Sequence, residues 1–534
     1  MKTTTVQVVA DGPATVMMTR PAAASGDGAP PARARRPISS GAQWSFELIA
    51  EYDQAIREIA VGEFGLDCYP NQIEVIASEQ MLDAYASVGL PIGYPHWSFG
   101  KKFIRNEHDY RKGARGLAYE IVINSNPCIS YLMEENSMAL QALVIAHACY
   151  GHNSFFKGNY LFRQWTSADA IIDYMVFARQ YVMQCEAQHG IAAVEEVLDA
   201  CHALMDYGVS RYRRPRPLSA DEERDRLRER EAYAYSRYDE IWSTVPTART
   251  RAASDARRPV FPEEPEENLL YFVEKFSPRL APWQRELVRI VRKTAQYFYP
   301  QGQTKVMNEG WATFWHYTIL NRLYDKGLVD DGFMLEVLAS HTNVVTQRGF
   351  DERGYGGLNP YALGFAMFSD LRRICSSPTD EDRHWFPDIA VRDWQPVLDF
   401  AMRNFKDESF IAQYLSPRLI REFHLFAIAD HEQEDELEVD SIHNEQGYRR
   451  VRQLLAQQYD RDTRLPDIQV VRYAIDGDRS LTLRHCLRRN RPLTDDYRKV
   501  LDHLQRLWGF TVRFETADED GLLLHTEEVR GSGG

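Results

Sequence analysis

Long apolar runs are missing from this 534-residue chain, and none approaches the roughly 18 residues that a membrane-spanning helix needs. Paired cysteines are missing as well. The seven present (Cys68, Cys128, Cys149, Cys185, Cys201, Cys375 and Cys486) are scattered and include no C-x-x-C pair. That excludes a dense disulfide framework or a zinc knuckle and fits buried thiols in a reducing compartment. Positive charge is in deficit, with 63 Lys and Arg against 77 Asp and Glu for a net charge of -14. A dedicated nucleic-acid binder is thereby disfavoured. Residues 1–40 hold no secretory apolar segment, only an Ala/Pro/Gly/Arg mixture ending in ARARRP. A cytoplasmic protein without a membrane span is therefore expected.

What is present suffices for a large folded body. Hydrophobic residues make up 44% of the chain and aromatics 12%, enough to fill more than one core at this length. Residues 44–63 (WSFELIAEYDQAIREIAVGE) carry apolar side chains at three- and four-residue steps and predict a helix. IEVIAS (73–78) and AYEIVIN (118–124) read as strands, and 136–149 (NSMALQALVIAHAC) as an apolar helix. The fold class expected is mainly α, with a short β-sheet before that helix, followed by a small C-terminal α+β domain of αββαβ order. The domain boundaries expected are a disordered arm over 1–40, a mainly helical domain over 41–430, the small domain over 441–520 and a flexible tail over 521–534. A polar insert over 213–265 interrupts the helical domain. Its charged stretch, DEERDRLREREAYAYSRYDEIW, reads as a solvated helix face.

Chemistry concentrates in two places. IAHACYGHN (145–153) ends the apolar helix with His147 and His152, five residues apart. On a regular α-helix that spacing puts the two rings about 140° apart. Both reach one metal ion only if the helix ends at Gly151 or carries a π-bulge. NEGWATFWHY (308–317) places Glu309 and His316 seven apart, nearly two turns, on one face of a second apolar helix. An acid there is costly to bury without a metal or a histidine partner. The ligand set expected is His147, His152 and Glu309, with His316 as fourth ligand or orienting partner. A weaker alternative is a di-iron centre on Glu186 and His189 with Asp199 and His202, which has the E-x-x-H spacing but lacks the remaining glutamates.

The strand, the two-histidine helix and the EGWA-type helix together resemble the gluzincin metallopeptidases, a zincin-like α+β arrangement. That resemblance implies a zinc-activated water attacking an amide bond. Ala148 stands where those enzymes carry their general-base glutamate. Glu134, Glu135 and His341 are the candidates to replace it. Over residues 38–459 the chain also resembles the stage V sporulation protein R (SpoVR) family. The strings that carry this are WSFELIAEYD, QIEVIASEQMLDAYASVG, YPHWSFGKKF, YEIVINSNPCISYLMEEN, ALVIAHACYGHNSFFKGN, NEGWATFWHY, GLNPYALGFAMFSD and IHNEQGYRRVR. The family resemblance implies a bacterial protein tied to sporulation, cell-envelope or stress physiology, and a serine protein kinase as partner. Two functions follow as expectations: a metal-dependent hydrolase using zinc, with iron or no metal as alternatives, or a non-catalytic regulatory scaffold.

Overall fold

The computed structural model describes residues 4–10, 14–15, 36–86, 93–94, 96–97, 120–211, 225, 228, 261–353, 355–431, 438–463, 465–475, 477–487, 493 and 496–530. Most of the polar insert, the aromatic loop at 91–105 and the middle of the acidic connector at 430–440 lie outside the described residues. The chain forms two compact units: Met1–Met183 with Tyr297–Arg464, and Gln184–Gln296 with Leu465–Gly534. The architecture is mainly helical with small sheets, as the sequence predicts.

In the first unit, Phe46–Arg57 is a helix because Ser45 accepts from the Leu48 amide at its start, 3.2 Å away, and Ile49, Tyr52 and Ile56 line its buried face. Strands β1 (Thr4–Ala10) and β2 (Ala14–Thr15) precede it, and β3 (Asn71–Ile76), β4 (Glu120–Ile123) and β5 (Cys128–Met133) follow. These last three form one sheet in the order β3-β5-β4, with β5 parallel to β3 and antiparallel to β4. The sequence pattern does not announce β5. As the central strand it is buried on both faces, so it lacks the alternation that marks a half-exposed strand.

Strand β6 (Thr346–Gln347) pairs with β2, and β7 (Leu425–His431) lies between β1 and β8 (Glu438–Val439). The expected disordered arm is therefore corrected at its start. Seven residues of β1 pair antiparallel with β7, from Thr4↔His431 to Ala10↔Leu425, and Val8, Val9 and Ala10 are buried. Residues 425–431, at the expected end of the helical domain, are strand, and the first unit continues past them to Arg464.

The core of this unit is built on three helical segments. Met138–Val144 continues into a π-helical stretch, Ile145–His152, which packs on the helix Lys305–Asp325, and that helix packs in turn on Pro360–Ser376. Glycines let the backbones approach: a Cβ on Gly151 would fall 2.6 Å from Ala312 Cα, and one on Gly310 2.3 Å from the Gly364 carbonyl carbon. Trp311 fills the space beside this crossing and donates from its indole Nε1 to Ser154 Oγ at 2.9 Å.

Asp407 caps the middle helix, its two carboxylate oxygens accepting from the Val306 and Met307 amides, each at 2.8 Å. Burial pushes its carboxyl up to about 7, against the pull of those amides. An acid raised above its unfolded value favours the folded state most at low pH, and that contribution is lost as pH rises from about 4 to 7. An Asp407→Asn protein does not titrate there. Its stability relative to the parent should therefore improve by a few kcal/mol between acid and neutral pH, read by urea unfolding at several pH values.

The second unit carries β9 (Asp467–Tyr473), β10 (Leu481–Cys486), β11 (Val512–Ala517) and β12 (Leu523–Val529) in the order β12-β11-β10-β9. The helix Tyr497–Trp508 buries Leu501, Leu504, Leu507 and Trp508 and stops at Gly509, whose φ of 83° needs a residue without a Cβ. Two boundary expectations are corrected here. The helix Glu445–Tyr459 belongs to the first unit, and the supposed tail forms the edge strand β12. Among the described residues, no helix is long and apolar enough to cross a membrane.

Candidate metal centre

Backbone geometry decides whether His147 and His152 can act together. The stretch Ile145–His152 is π-helical, and an i→i+5 turn brings residues five apart to one side. The rings lie perpendicular with centroids 4.6 Å apart. Both side chains are buried, as is every other residue of the stretch. The condition set by the five-residue spacing is thus met by the π-turn.

Two carboxylates close on the two imidazoles. Glu120, on β4 at the edge of its sheet, brings Oε1 to 3.2 Å from His147 Nε2 and 3.8 Å from His152 Nε2. Glu309, on the Lys305–Asp325 helix, brings Oε2 to 3.9 Å and 3.5 Å from the same two nitrogens. Ligand bonds of about 2.0–2.1 Å in a tetrahedral site imply ligand-to-ligand edges of about 3.3–3.4 Å. The four nitrogen–oxygen separations bracket that value. Glu120, His147 and His152 form a group able to hold a metal ion, with donor atoms within 4.8 Å of one another. Glu309 Oε2 is buried and has no hydrogen-bond partner among the described residues, a costly state that a cation in this space would relieve.

The far side of each imidazole is also engaged. His152 Nδ1 lies 2.9 Å from Asn308 Oδ1, which can only accept, so His152 carries its proton on Nδ1 and keeps the Nε2 lone pair for the centre. His147 Nδ1 meets His316 Nδ1 at 2.9 Å, and His316 Nε2 meets His341 Nδ1 at 2.9 Å. One proton per ring, each donated away from the centre, leaves His147 Nε2 free as well. His316→Ala removes the group that orients His147, so metal affinity should fall by about 10–100-fold, measured by competition with a chromophoric chelator. Unchanged affinity would mean that the chain of imidazoles does not orient the ligand.

Electrostatics follow from burial and from the two acids. Burial pushes His152 down to about 4, with Glu309 pulling the other way, and pushes His341 down to about 4 with help from His147. His316 falls well below the usual imidazole value, first by burial and then by its cationic neighbours. For His147 burial is outweighed by Glu120 and Glu309, and its value rises. Glu120 is pushed up to about 7 by burial, whereas burial of Glu309 is overcome by the neighbouring His147 and His152 and by the Tyr361 hydroxyl, so its carboxyl stays low.

Of the residues named from sequence, His147, His152 and Glu309 come together. Of the two places expected for His316, fourth ligand or orienting partner, it takes the second, behind His147. Glu134 and Glu135 are exposed in the turn after β5, where Glu135 accepts from the Ser78 amide, so neither stands in for the general base. His341 ends the imidazole chain. Glu186, His189, Asp199 and His202 form no metal-binding group, since no second such group occurs among the described residues. His189 instead stacks on Trp283 at 4.3 Å. Glu120 is the functional residue that sequence reasoning missed. Its signal was an acid set into a β-branched strand, EIVI.

Comparison with known proteins places these elements. The family model for SpoVR like protein matches residues 43–464, and that for the SpoVR-like C-terminal domain matches 466–519. The junction between the two coincides with the change of unit at Arg464 and Leu465. The chain is 57% identical over 487 residues to a protein of Escherichia coli (strain K12) described as uncharacterized protein YcgB, covering 91% of this chain and 95% of that one. No solved structure matches. Neither family match is to a metallopeptidase, and the site departs from the gluzincin plan in its five-residue histidine spacing, its strand glutamate and Ala148.

Proposed function

The chain belongs to the SpoVR family, and on that premise we propose that it is a metal-binding protein whose centre is Glu120, His147, His152 and Glu309. The reading rests on one observation: two imidazole nitrogens alternate with two carboxylate oxygens at 3.2–3.9 Å, while both Nδ1 atoms are occupied elsewhere. Two nitrogens and two oxygens suit zinc, with iron(II) as the alternative for the same donors. Bound there, such an ion supplies a Lewis acid that polarises a carbonyl and activates water, the basis of a hydrolytic reaction. Ala148 brings no carboxylate to this space, and Glu120 would be ionised as a ligand, so a hydrolytic role would need a proton acceptor other than these two positions.

The test is elemental analysis of the purified full chain by plasma mass spectrometry. About one zinc or iron per chain is expected in the parent and about a tenth of that or less in His147→Ala/Glu309→Ala. A parent without stoichiometric metal, or a double variant that retains it, overturns the proposal.

A second reading, a non-catalytic regulator working with a serine protein kinase, draws on Ala148, a fully buried methyl where a peptidase places its base. A kinase complex that survives the double substitution supports this reading. Loss of the complex together with the metal argues against it.

A further inference from the structure

The C-terminal strand β12 is the most exposed apolar run among the described residues. Leu522, Leu523 and Leu524 are 66%, 48% and 55% exposed. They begin the edge strand of a four-stranded sheet. Among the described residues β12 pairs with β11 alone, so alternate backbone N–H and C=O groups along its outer side face away from the sheet. The strand contains neither Pro nor Lys, two of the residues that blunt such edges. A register shift near Leu524 is its only irregularity, and Val512–Thr516 pair without a break with Val529–His525.

We propose that β12 is a homodimerisation edge, pairing antiparallel with β12 of a second copy of this chain about a two-fold axis at Thr526. Charge selects the occupant and the register. In an antiparallel pair, opposed residues share orientation, so a two-fold axis falls on a residue. An axis on Thr526 sets His525 opposite the partner's Glu527, and Glu527 opposite the partner's His525. An axis on Glu527 or Glu528 would place like charges face to face, which is destabilising. The Thr526 register also sets Leu523 opposite the partner copy's Val529, with Leu524 opposite its Glu528. Glu527 is already fixed for this role, because it accepts from Tyr497 Oη at 2.7 Å and Arg498 Nε at 3.0 Å on its own unit. The second copy supplies the backbone partner that the edge lacks and a His525/Glu527 pattern that is self-complementary.

Two variants of the full chain test this by sedimentation velocity at micromolar concentration. The parent should be a dimer. Leu523→Lys/His525→Glu, which sets Glu against Glu527 and charges the apolar run, should be monomeric with an unchanged far-UV spectrum. Thr526→Cys should form a disulfide dimer under mild oxidation, because opposed residues sit roughly 4.5–5.5 Å apart at Cα, within bridging range. The parent, whose cysteines are buried or half-buried, serves as baseline. A monomeric parent overturns the proposal, as does a dimer untouched by the double substitution or a Thr526→Cys chain that cross-links no faster than the parent.

Discussion

Gly364→Ala should destabilise the first unit by about 3–5 kcal/mol, or prevent it from folding, because the added methyl has nowhere to go. A Cβ at this position falls 2.1 Å from the Val306 carbonyl oxygen and 2.7 Å from Gly310 Cα, and both obstacles are backbone. A side chain could rotate away; a helix backbone can only be pushed off as a whole. Glu309 rides on the displaced helix, so separation also draws its carboxylate from His147 and His152. Any Gly364→Ala protein that does fold should bind metal weakly. Gly41→Ala is the control, since its Cβ would meet nothing within 4 Å, and its effect should stay within about 0.5 kcal/mol. Chemical denaturation of both reads the contrast. Equal stability would show that the two helices do not touch.

Metal affinity should fall steeply below neutral pH. A carboxylate ligand must be ionised and an imidazole ligand neutral, so each proton held by the free site is released on binding. Glu120 holds its proton up to about pH 7 in the empty site, which makes affinity fall by about tenfold per unit below that value. The raised value of His147 adds a second proton and steepens the fall, whereas His152, pushed down to about 4, adds none until strongly acid pH. Calorimetric titration with zinc in buffers of different ionisation enthalpy counts these protons. Affinity that stays level from about pH 5.5 to 8 would contradict the assignment of Glu120 as a ligand.

The stability of the metal-free protein hides the same titrations. Glu120, raised in the folded state, loses its contribution as pH rises through about 4.5 to 7. His152 and His341 are lowered, so each contributes above its unfolded value near 6.5 and loses that contribution as pH falls to about 4. The windows overlap with opposite signs, and Glu120 offsets roughly one of the two histidines. Binding therefore reports on the site more clearly than unfolding does.

The parts of the fold with clear periodicity are readable from the chain alone. The apolar stripe of Phe46–Arg57, the alternation in EIVI and the two site helices each declare themselves locally. His147, His152 and Glu309 follow because polar groups on apolar helices demand partners. What local pattern omits is decided by partners distant in sequence. β5 owes its identity to strands on both sides, and β1 to β7, more than 400 residues away. Glu120 and Glu309 meet two histidines only because three elements converge. His316 shares a helix face with Glu309, yet nearly two turns of rise set it behind His147 instead of beside the acid.

The π-helical stretch also has a consequence for chain length. Four residues of α-helix turn through about 400°, returning a side chain close to where it began, and the i→i+5 turn reaches nearly the same place with five. Deleting Ala148 and letting the stretch relax to an ordinary helix would leave both histidines on one side, four apart. Elsewhere in a helix one deletion swings everything beyond it by about 100°. Here the lost residue would be absorbed by a change of coil, so a one-residue deletion should disturb the pair of histidines less in this segment than in a regular helix. A search keyed to a fixed four-residue spacing passes over the five-residue form, although the two present nearly the same pair of nitrogens.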